Sequence, residues 1–314
     1  MKMRQESTSN PNLRALEPYG FFYTSDGMRI RCGRWRASSV PCRGSVLILT
    51  GRAEFMEKYQ ETIQELNGRG FDVFSFDWRG QGLSGRMLDD PQKGYVDSYE
   101  QYLADLDHIL QALFYPEARK PLMILAHSMG AHIALRFLDR PAAGFDKAVL
   151  LAPMIDIATE PAPRKFSCWL SRFMVQQGFG SVNILGSNHY NPFRKSFARN
   201  RFTSDAVRFS RTMEHIRQNP QLAVGSVTYR WLAATFDSID LLQGAEFGSG
   251  LQIPILLVLA GNDQVVSNRA IERLSKKLPM HLIKRIKTAR HEILQENDML
   301  RTEFWRAFDE FVQV

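Results

Sequence analysis

The sequence contains few cysteines. Only three occur among the 314 residues, at Cys32, Cys42 and Cys168. An odd number of cysteines without an export signal predicts free thiols in a reducing compartment rather than a disulfide framework. No cysteine or histidine spacing is typical of a zinc site, so we expect no metal and no organic cofactor.

The sequence also lacks long apolar runs. All of them are well short of the roughly 18 residues that a membrane-spanning helix needs. Residues 1–12 are polar and hold no apolar segment of the kind that signal peptides carry. We therefore expect a flexible start, up to about residue 20, and a cytoplasmic protein. Peripheral contact with the inner face of the membrane stays open at this stage.

What the sequence does contain is a regular alternation of apolar strands and helical segments. Hydrophobic residues make up 44% of the chain, which suffices for a sizeable core. Apolar runs begin near residues 45, 71, 121, 147, 253 and 281, with helical patterns after most of them. A hairpin signal, Ser25-Asp26-Gly27, precedes the first run. This order predicts an α/β fold with a mostly parallel sheet and helices on both faces.

One serine lies where such a fold places a nucleophile. The run Pro121-Leu122-Met123-Ile124-Leu125 leads into Ala126-His127-Ser128-Met129-Gly130, and a helical pattern follows. A strand, a small-x-Ser-x-small turn and a helix together are typical of a nucleophile elbow, in which strain exposes the hydroxyl. Taken alone, Ser128 could equally be a helix N-cap.

An acid and a histidine follow Ser128 in the chain order of an α/β-hydrolase triad. Asp263 comes just after the apolar run that starts at Ile253, and His291 comes after the segment 281–286. Taken alone, each of the two could be an ordinary loop residue. In combination they predict that His291 is the base that activates Ser128 and that Asp263 orients the imidazole. His132 lies in the helix behind the elbow and competes poorly.

The loop after the strand at Ser45 predicts the oxyanion hole. We expect one backbone N–H from Met129, directly after Ser128, and a second from Arg52 in this earlier loop. Gly51 lets the backbone approach closely. We include Gly51 and His127 among the candidate substrate-binding residues.

These motifs resemble the monoacylglycerol lipase and lysophospholipase branch of the α/β-hydrolases, also called serine aminopeptidase-like hydrolases. Thr50-Gly51-Arg52-Ala53-Glu54 stands where that branch has His-Gly-x-x-Glu, and the loop from Asp77 to Ser84 resembles its Asp-x-x-Gly-x-Gly-x-Ser motif. The elbow, the acid loop and the histidine loop match as well. Within this branch the chain is most similar to the bacterial lysophospholipases. Thr50 stands where monoacylglycerol lipases commonly have a histidine. The sequence Arg79-Gly80-Gln81-Gly82 is typical of the bacterial group.

The pattern changes between residues 154 and 242, where no buried strand is evident. We expect a cap or lid inserted into the hydrolase core, which would consist of residues 1–153 and 243–314. Trp169 and Phe173 are candidate acyl-pocket residues of this cap. Residues 156–240 contain eleven Lys and Arg against six Asp and Glu, out of a net charge of +7 for the chain. A basic lid would favour anionic lipid surfaces or phosphate-bearing substrates, although a solvated basic surface is an equal reading.

The resemblance implies a serine ester hydrolase that releases a fatty acid from a single-chain lipid, with a lysophospholipid as the first choice. Three alternatives stay open: a monoacylglycerol lipase or general carboxylesterase, an aminopeptidase, and a catalytically silent binding protein. An aminopeptidase would need acids in the cap, for which Glu160, Asp205 and Glu214 are candidates. We expect a small lipid substrate and no nucleic acid partner, because no recognition motif accompanies the positive charge.

Overall fold

The computed structural model describes residues 18–37, 41–140, 143–159, 162–186, 189–190 and 196–313. The segment for which a flexible start is expected lies almost wholly outside these residues. The three cysteines are free thiols. Within the described ranges, no helix is long and apolar enough to cross a membrane, and no group of three or more His, Cys, Asp or Glu could hold a metal ion.

Eight strands form one mixed sheet in the order β1-β2-β4-β3-β5-β6-β7-β8. The strands are β1 (Tyr19–Tyr23), β2 (Arg29–Trp35), β3 (Gly44–Leu49), β4 (Phe71–Phe76), β5 (Leu122–His127), β6 (Lys147–Leu151), β7 (Ile255–Ala260) and β8 (His281–Ile286). Strand β2 pairs antiparallel with both β1 and β4. The strands from β3 to β8 run parallel to one another. The predicted α/β architecture is confirmed.

In the described part of the chain, eight α-helices connect and cover these strands. They are α1 (Gln60–Gly68), α2 (Tyr99–Ile109), α3 (Met129–Leu138), α4 (Arg164–Gln176), α5 (Ala206–Gln218), α6 (Tyr229–Gln243), α7 (Asn268–Ser275) and α8 (Asp298–Gln313). A π-helical turn, Leu110–Phe114, extends α2, and short 3-10 turns occupy Met56–Tyr59 and Ile293–Gln295. The sequence analysis did not identify α7, although its start carries a signal: the Ser267 side chain accepts a hydrogen bond from the Ala270 amide.

Alternate residues of each central strand supply two separate apolar cores. Leu47 and Leu49 of β3 pack in the cluster that includes α2, α3 and α7, whereas Val46 and Ile48 pack in the cluster that includes α1 and α8. This period of two is the geometry of a strand buried on both faces. The carboxyl ends of β3, β5, β7 and β8 therefore meet at one edge of a sheet that helices cover on both faces.

The loop that begins at Asp77 has a structural role at this edge. The Asp77 carboxylate is fully buried and accepts hydrogen bonds from the amides of Met56 and Leu83, at 3.0 and 2.9 Å. A Cβ on Gly82 would lie 2.2 Å from this carboxylate, so only glycine fits there. Ser84 donates to the Asp77 carbonyl oxygen at 2.6 Å. Through the Met56 amide, the loop from Asp77 to Ser84 thus fixes the turn Met56–Tyr59, which precedes α1.

Candidate active site

Ser128 sits in a strained turn between β5 and α3. Its backbone has φ 50° and ψ −111°, which non-glycine residues rarely adopt. The surrounding backbone holds this conformation through three hydrogen bonds: Ser128 N–H donates to Leu151 O at 3.0 Å, and Ser128 O accepts from His132 and Met154 at 3.0 and 3.1 Å. The strained turn is therefore anchored to β6, to α3 and to the loop after β6.

The small residues on either side of Ser128 allow the elbow to press against β3. Ala126 lies beside Leu49 in the parallel register and is buried. A Cβ on Gly130 would lie 2.4 Å from Leu49 O and 2.5 Å from Thr50 O, so no larger residue fits without a backbone shift. The physical requirement behind the small-x-Ser-x-small pattern is thus contact with the neighbouring strand.

The structure brings the three predicted triad residues together. His291 Nε2 lies 2.9 Å from Ser128 Oγ, and His291 Nδ1 lies 2.7 Å from Asp263 Oδ2. All three side chains are buried, at 7% exposure or less for Ser128 and His291 and none for the Asp263 side chain. Each distance is within hydrogen-bonding range for a nucleophile, a base and an orienting acid.

Asp263 is held as a carboxylate. Burial alone raises the pKa of this acid, but the hydrogen bond and charge of His291, together with the amides of Val265 and Val266, bring the pKa below its ordinary value. These two amides donate to Oδ1 at 2.7 and 3.0 Å, which leaves Oδ2 for the imidazole. A carboxylate at Nδ1 fixes the tautomer in which Nε2 accepts the serine proton.

Two backbone N–H groups are placed for an oxyanion hole. Met129 is the first residue of α3, so its N–H has no carbonyl oxygen within the helix to which it could donate a hydrogen bond. In the loop after β3, the Gly51 amide donates to Glu54 and the Ala53 amide donates to Gln81. The Arg52 amide lies between these two and has no hydrogen-bond partner among the described residues. The amides of Met129 and Arg52 are thus candidates for the oxyanion hole, and this role stays a prediction.

The loop that carries His291 is also bound from the segment between β6 and β7. The Glu292 amide donates to Phe202 O at 2.8 Å, and Arg290 Nη1 donates to Thr203 O at 3.0 Å. The fully buried Glu296 carboxylate accepts from the Arg290 amide at 2.7 Å and from the Ser204 amide at 2.9 Å. Sequence analysis missed these residues, because no local pattern shows that residues 200–205 reach the histidine loop.

A buried polar cluster behind the triad was missed as well. Lys58 Nζ lies 2.8 Å from Glu54 Oε1 and 2.6 Å from Glu292 Oε1, and Tyr59 donates to Glu54 Oε2 at 2.6 Å. A Cβ on Gly51 would lie 2.7 Å from the Glu54 carboxylate and 2.9 Å from His127 Nδ1. The i, i+4 spacing of Glu54 and Lys58 is the one signal in the sequence that could have indicated this pair.

The four predicted substrate-binding residues occupy two different settings. Gly51 and His127 are buried and contact the polar cluster around Glu54. Trp169 and Phe173 lie on α4 with 57% and 42% of their surface exposed, and their rings stack with centroids 5.5 Å apart. Within the described part of the chain, neither ring contacts the triad. Direct substrate contact by these four residues stays a prediction.

Replacing Asp263 with asparagine tests whether the acid orients the base. Asparagine keeps an oxygen for the amides of Val265 and Val266 but presents a donor to His291 Nδ1, which enforces the wrong tautomer. We expect kcat for a soluble ester to fall by about 10³–10⁴-fold while the protein stays folded. Asp146→Asn, directly before β6, is the matched control. An activity close to wild type in Asp263→Asn would contradict the triad assignment.

Comparison with known proteins agrees with this geometry. Residues 41–298 match the family model Hydrolase_4, described as serine aminopeptidase, S33. Lysophospholipase L2 of Escherichia coli is 32% identical to this chain over 276 residues, which cover 85% of this chain and 79% of that protein. The probable lysophospholipase L2 of Haemophilus influenzae is 29% identical over 273 residues, covering 87% and 84%.

The fold has solved counterparts. A soluble variant of monoglyceride lipase from Saccharomyces cerevisiae, in complex with a substrate analog, superimposes with a TM-score of 0.74 at 17% identity and covers 95% of this chain and 96% of its own. At this identity the likeness shows the fold alone. The family match and the E. coli relative carry the assignment: the chain belongs to the Hydrolase_4, serine aminopeptidase S33, family of α/β-hydrolases.

Proposed function

We propose that this protein is a serine ester hydrolase that releases a fatty acid from a single-chain lipid, with a lysophospholipid as its first substrate. The observation that carries the proposal is the connected series Asp263, His291 and Ser128, with contacts of 2.7 and 2.9 Å. The names of two bacterial relatives, lysophospholipase L2 and a probable lysophospholipase L2, support the choice of substrate.

The geometry supports an acyl-enzyme mechanism. His291 Nε2 takes the hydroxyl proton as Ser128 Oγ attacks the ester carbonyl, and the N–H groups of Met129 and Arg52 stabilise the oxyanion. His291 then gives the proton to the leaving alcohol, and the acyl group stays on Ser128. A water molecule repeats the sequence, with His291 as base, and releases the fatty acid. Every proton in this cycle passes through one imidazole nitrogen.

The Arg52 side chain supports a substrate that carries a phosphate. Its Nη2 donates to the Gly225 carbonyl oxygen, and its guanidinium lies 5.4 Å from the Trp231 ring centroid. Its Nε is buried without a partner, and no carboxylate pairs with it among the described residues. Desolvation by burial lowers the pKa of Arg52 to about 10. A desolvated cation without an anion is costly, and arginine binds phosphate, like carboxylate, through paired charge-assisted hydrogen bonds.

The position of Arg52 fits the chemistry of a lysophospholipid. The amide of this residue is a proposed oxyanion donor, so its guanidinium is one side chain away from the reacting carbonyl. In a lysophospholipid only the glycerol carbons separate the ester from the phosphate. A monoacylglycerol offers a hydroxyl at that place, which gains less from a charged donor.

The excess of positive charge in residues 156–240 supports an anionic lipid or phosphate ligand less strongly than the sequence indicated. Arg164 and Arg172 pair with carboxylates of Asp156, Asp237 and Asp240 at 2.7 to 3.2 Å. Among the described residues of the segment, Arg208, Arg211 and Arg217 are paired as well. Much of this charge is therefore neutralised locally and does not attract a ligand.

Two alternatives receive less support from the structure. Of the acids that could hold the ammonium group of an aminopeptidase substrate, Asp205 pairs with Arg208 and Glu214 pairs with Arg217, at 3.0 and 3.4 Å, and Glu160 lies outside the described residues. A silent binding protein has no need of the triad contacts. A monoglyceride lipase or carboxylesterase differs only in the substrate, and the Arg52 experiment below separates it from a lysophospholipase.

We further propose that residues 154–242 form a cap whose helix α4 contacts a lipid surface. Phe166, Trp169 and Phe173 share one face of α4 and are between 42% and 57% exposed. Aromatic side chains of this kind favour the interface between lipid head groups and acyl chains. Lys165, next to this face, is exposed and suits anionic lipids. A cytoplasmic location, with this contact at the inner membrane face, stays a prediction.

The first test compares wild type with Ser128→Ala on three substrates: a lysophospholipid, a monoacylglycerol of the same acyl chain and a prolyl amide. We expect fatty-acid release to be highest with the lysophospholipid and to be lost in the variant, because Ser128 supplies the hydroxyl that contacts His291 Nε2. Circular dichroism checks that the variant is folded. Turnover by Ser128→Ala would overturn the mechanism, and cleavage of the amide alone would overturn the substrate.

The second test asks whether Arg52 recognises phosphate. In Arg52→Gln the backbone amide remains, so the oxyanion hole is retained and only the guanidinium is lost. We expect kcat/KM for the lysophospholipid to fall by about 10–100-fold and that for the monoacylglycerol to change by less than about threefold. Arg306→Gln, at an exposed cation of α8, is the control. Equal losses on both substrates would refute a phosphate contact.

The third test concerns the lipid surface. We expect the double variant Trp169→Glu with Phe173→Glu to bind phosphatidylcholine and phosphatidylglycerol vesicles about tenfold more weakly, or weaker still. The reason is that the two aromatic rings are no longer present to transfer apolar surface from water into the lipid. Hydrolysis of a soluble short-chain ester should be unchanged. Leu282→Glu, at an exposed apolar residue of β8, is the matched control. Unaltered vesicle sedimentation would exclude this face as the contact.

A further inference from the structure

Both ring nitrogens of His127 face hydrogen-bond acceptors. Nδ1 lies 3.1 Å from Glu54 Oε2, and Nε2 lies 3.1 Å from the backbone carbonyl oxygen of His291. A neutral imidazole carries one N–H and one lone pair, so it can satisfy only one of these oxygens. The other nitrogen would direct its lone pair at an oxygen in a buried site. Only the doubly protonated ring fits both neighbours.

The charges around His127 lead to the same conclusion. Glu54 and Glu292 are two carboxylates, and Lys58 lies between them as one cation. Without a charge on His127, this buried group carries one net negative charge. The side chains of Glu54 and Lys58 are 4% and 5% exposed, so an unbalanced charge there is costly. An imidazolium at His127 makes the group neutral.

His132, in α3, provides an internal comparison. It is also fully buried, and its Nδ1 lies 2.7 Å from the Met154 carbonyl oxygen. Its Nε2, however, lies 2.6 Å from the Ser238 hydroxyl, which can donate as well as accept. A neutral ring satisfies both contacts, and desolvation by burial lowers the pKa of His132 to about 3.

We propose that His127 is a permanent imidazolium and that it acts with Glu54 as a positioning unit for the triad. The inference rests on the proposed function, since the residue that it positions is the proposed base. The charged Nε2–H holds the peptide carbonyl of His291 itself. At the other end of the unit, Glu54 accepts from the Gly51 amide, next to the proposed oxyanion donor Arg52. The unit therefore fixes the oxyanion loop and the base loop relative to each other.

The electrostatic surroundings support this protonation state. Burial alone lowers the pKa of His127, but the charge and hydrogen bond of Glu54, and more distantly Glu292, outweigh burial and the repulsion from Lys58, so the net pKa is raised. Burial raises the pKa of Glu54, and the neighbouring cations Lys58 and His127 more than offset it. The remaining titratable neighbours are Tyr59, which donates to Glu54, and the His291 ring, whose centroid lies 4.8 Å away.

Nuclear magnetic resonance of protein labelled with ¹⁵N-histidine measures the proposed state directly. We expect His127 to show two protonated ring nitrogens at pH 7, while His132 shows one. Single variants of the other six histidines assign the His127 signal by elimination, so the test does not require a His127 variant to fold. A His127 ring with one protonated nitrogen at pH 7 would overturn the proposal.

Kinetics of Glu54→Gln show whether the unit positions the base. Since the amide removes the negative charge, we expect His127 to lose its second proton at pH 7 and kcat to fall about 10–100-fold, with KM changed less than twofold. His127→Gln should lose a similar factor, and the double variant no more than either single variant. Exposed Glu246→Gln is the matched control. Additive losses in the double variant, or wild-type kcat in Glu54→Gln, would contradict a shared positioning role.

The resonance experiment and the Ser128→Ala experiment fail independently. An imidazolium at His127 in a protein that hydrolyses no ester would leave the charge assignment intact and refute the proposed function. A neutral His127 in an active serine hydrolase would refute the inference alone.

Discussion

The catalytic edge of this protein depends on one close contact, in which the turn after β5 presses against the end of β3. Gly130 approaches the carbonyl oxygens of Leu49 and Thr50 more closely than any side chain would allow. That contact accompanies the positive φ of Ser128, which would be unfavourable in an isolated peptide. Because the flanking strands are buried in the parallel sheet, the sheet keeps the strain in place, and the hydroxyl faces the edge where Asp263 and His291 arrive.

The placement of the base depends on groups that belong to neither β8 nor the triad. The peptide of His291 is held at its carbonyl by His127, and the neighbouring amides of Arg290 and Glu292 are held by Glu296 and Phe202. A loop with this many fixed groups loses little further freedom when the transition state forms. The triad contacts of 2.7 and 2.9 Å lie within this fixed frame.

Burial decides which charges of the molecule can act on a ligand. In the segment between β6 and β7 most described arginines pair with a nearby carboxylate, so their field is local. In the polar cluster behind the triad, two carboxylates and two cations balance each other. Arg52 differs from both groups, because it is desolvated and has no anion among the described residues. Residues with the same formal charge thus differ in how strongly they can attract a ligand.

The sequence alone determined the fold class, the order of the strands along the chain and the identity of Ser128, Asp263 and His291 as a candidate triad. These follow from local signals: apolar runs, small residues beside the serine, and polar residues directly after strands. Only the tertiary structure decided that residues 200–205 bind the histidine loop, that Glu54, Lys58, His127 and Glu292 meet in one buried cluster, and that Trp169 and Phe173 face outward. The sequence indicated Trp169 and Phe173 as apolar residues of the cap but not what covers them. Contacts between residues far apart in the chain leave no periodic trace in the sequence, because they depend on how separate elements pack.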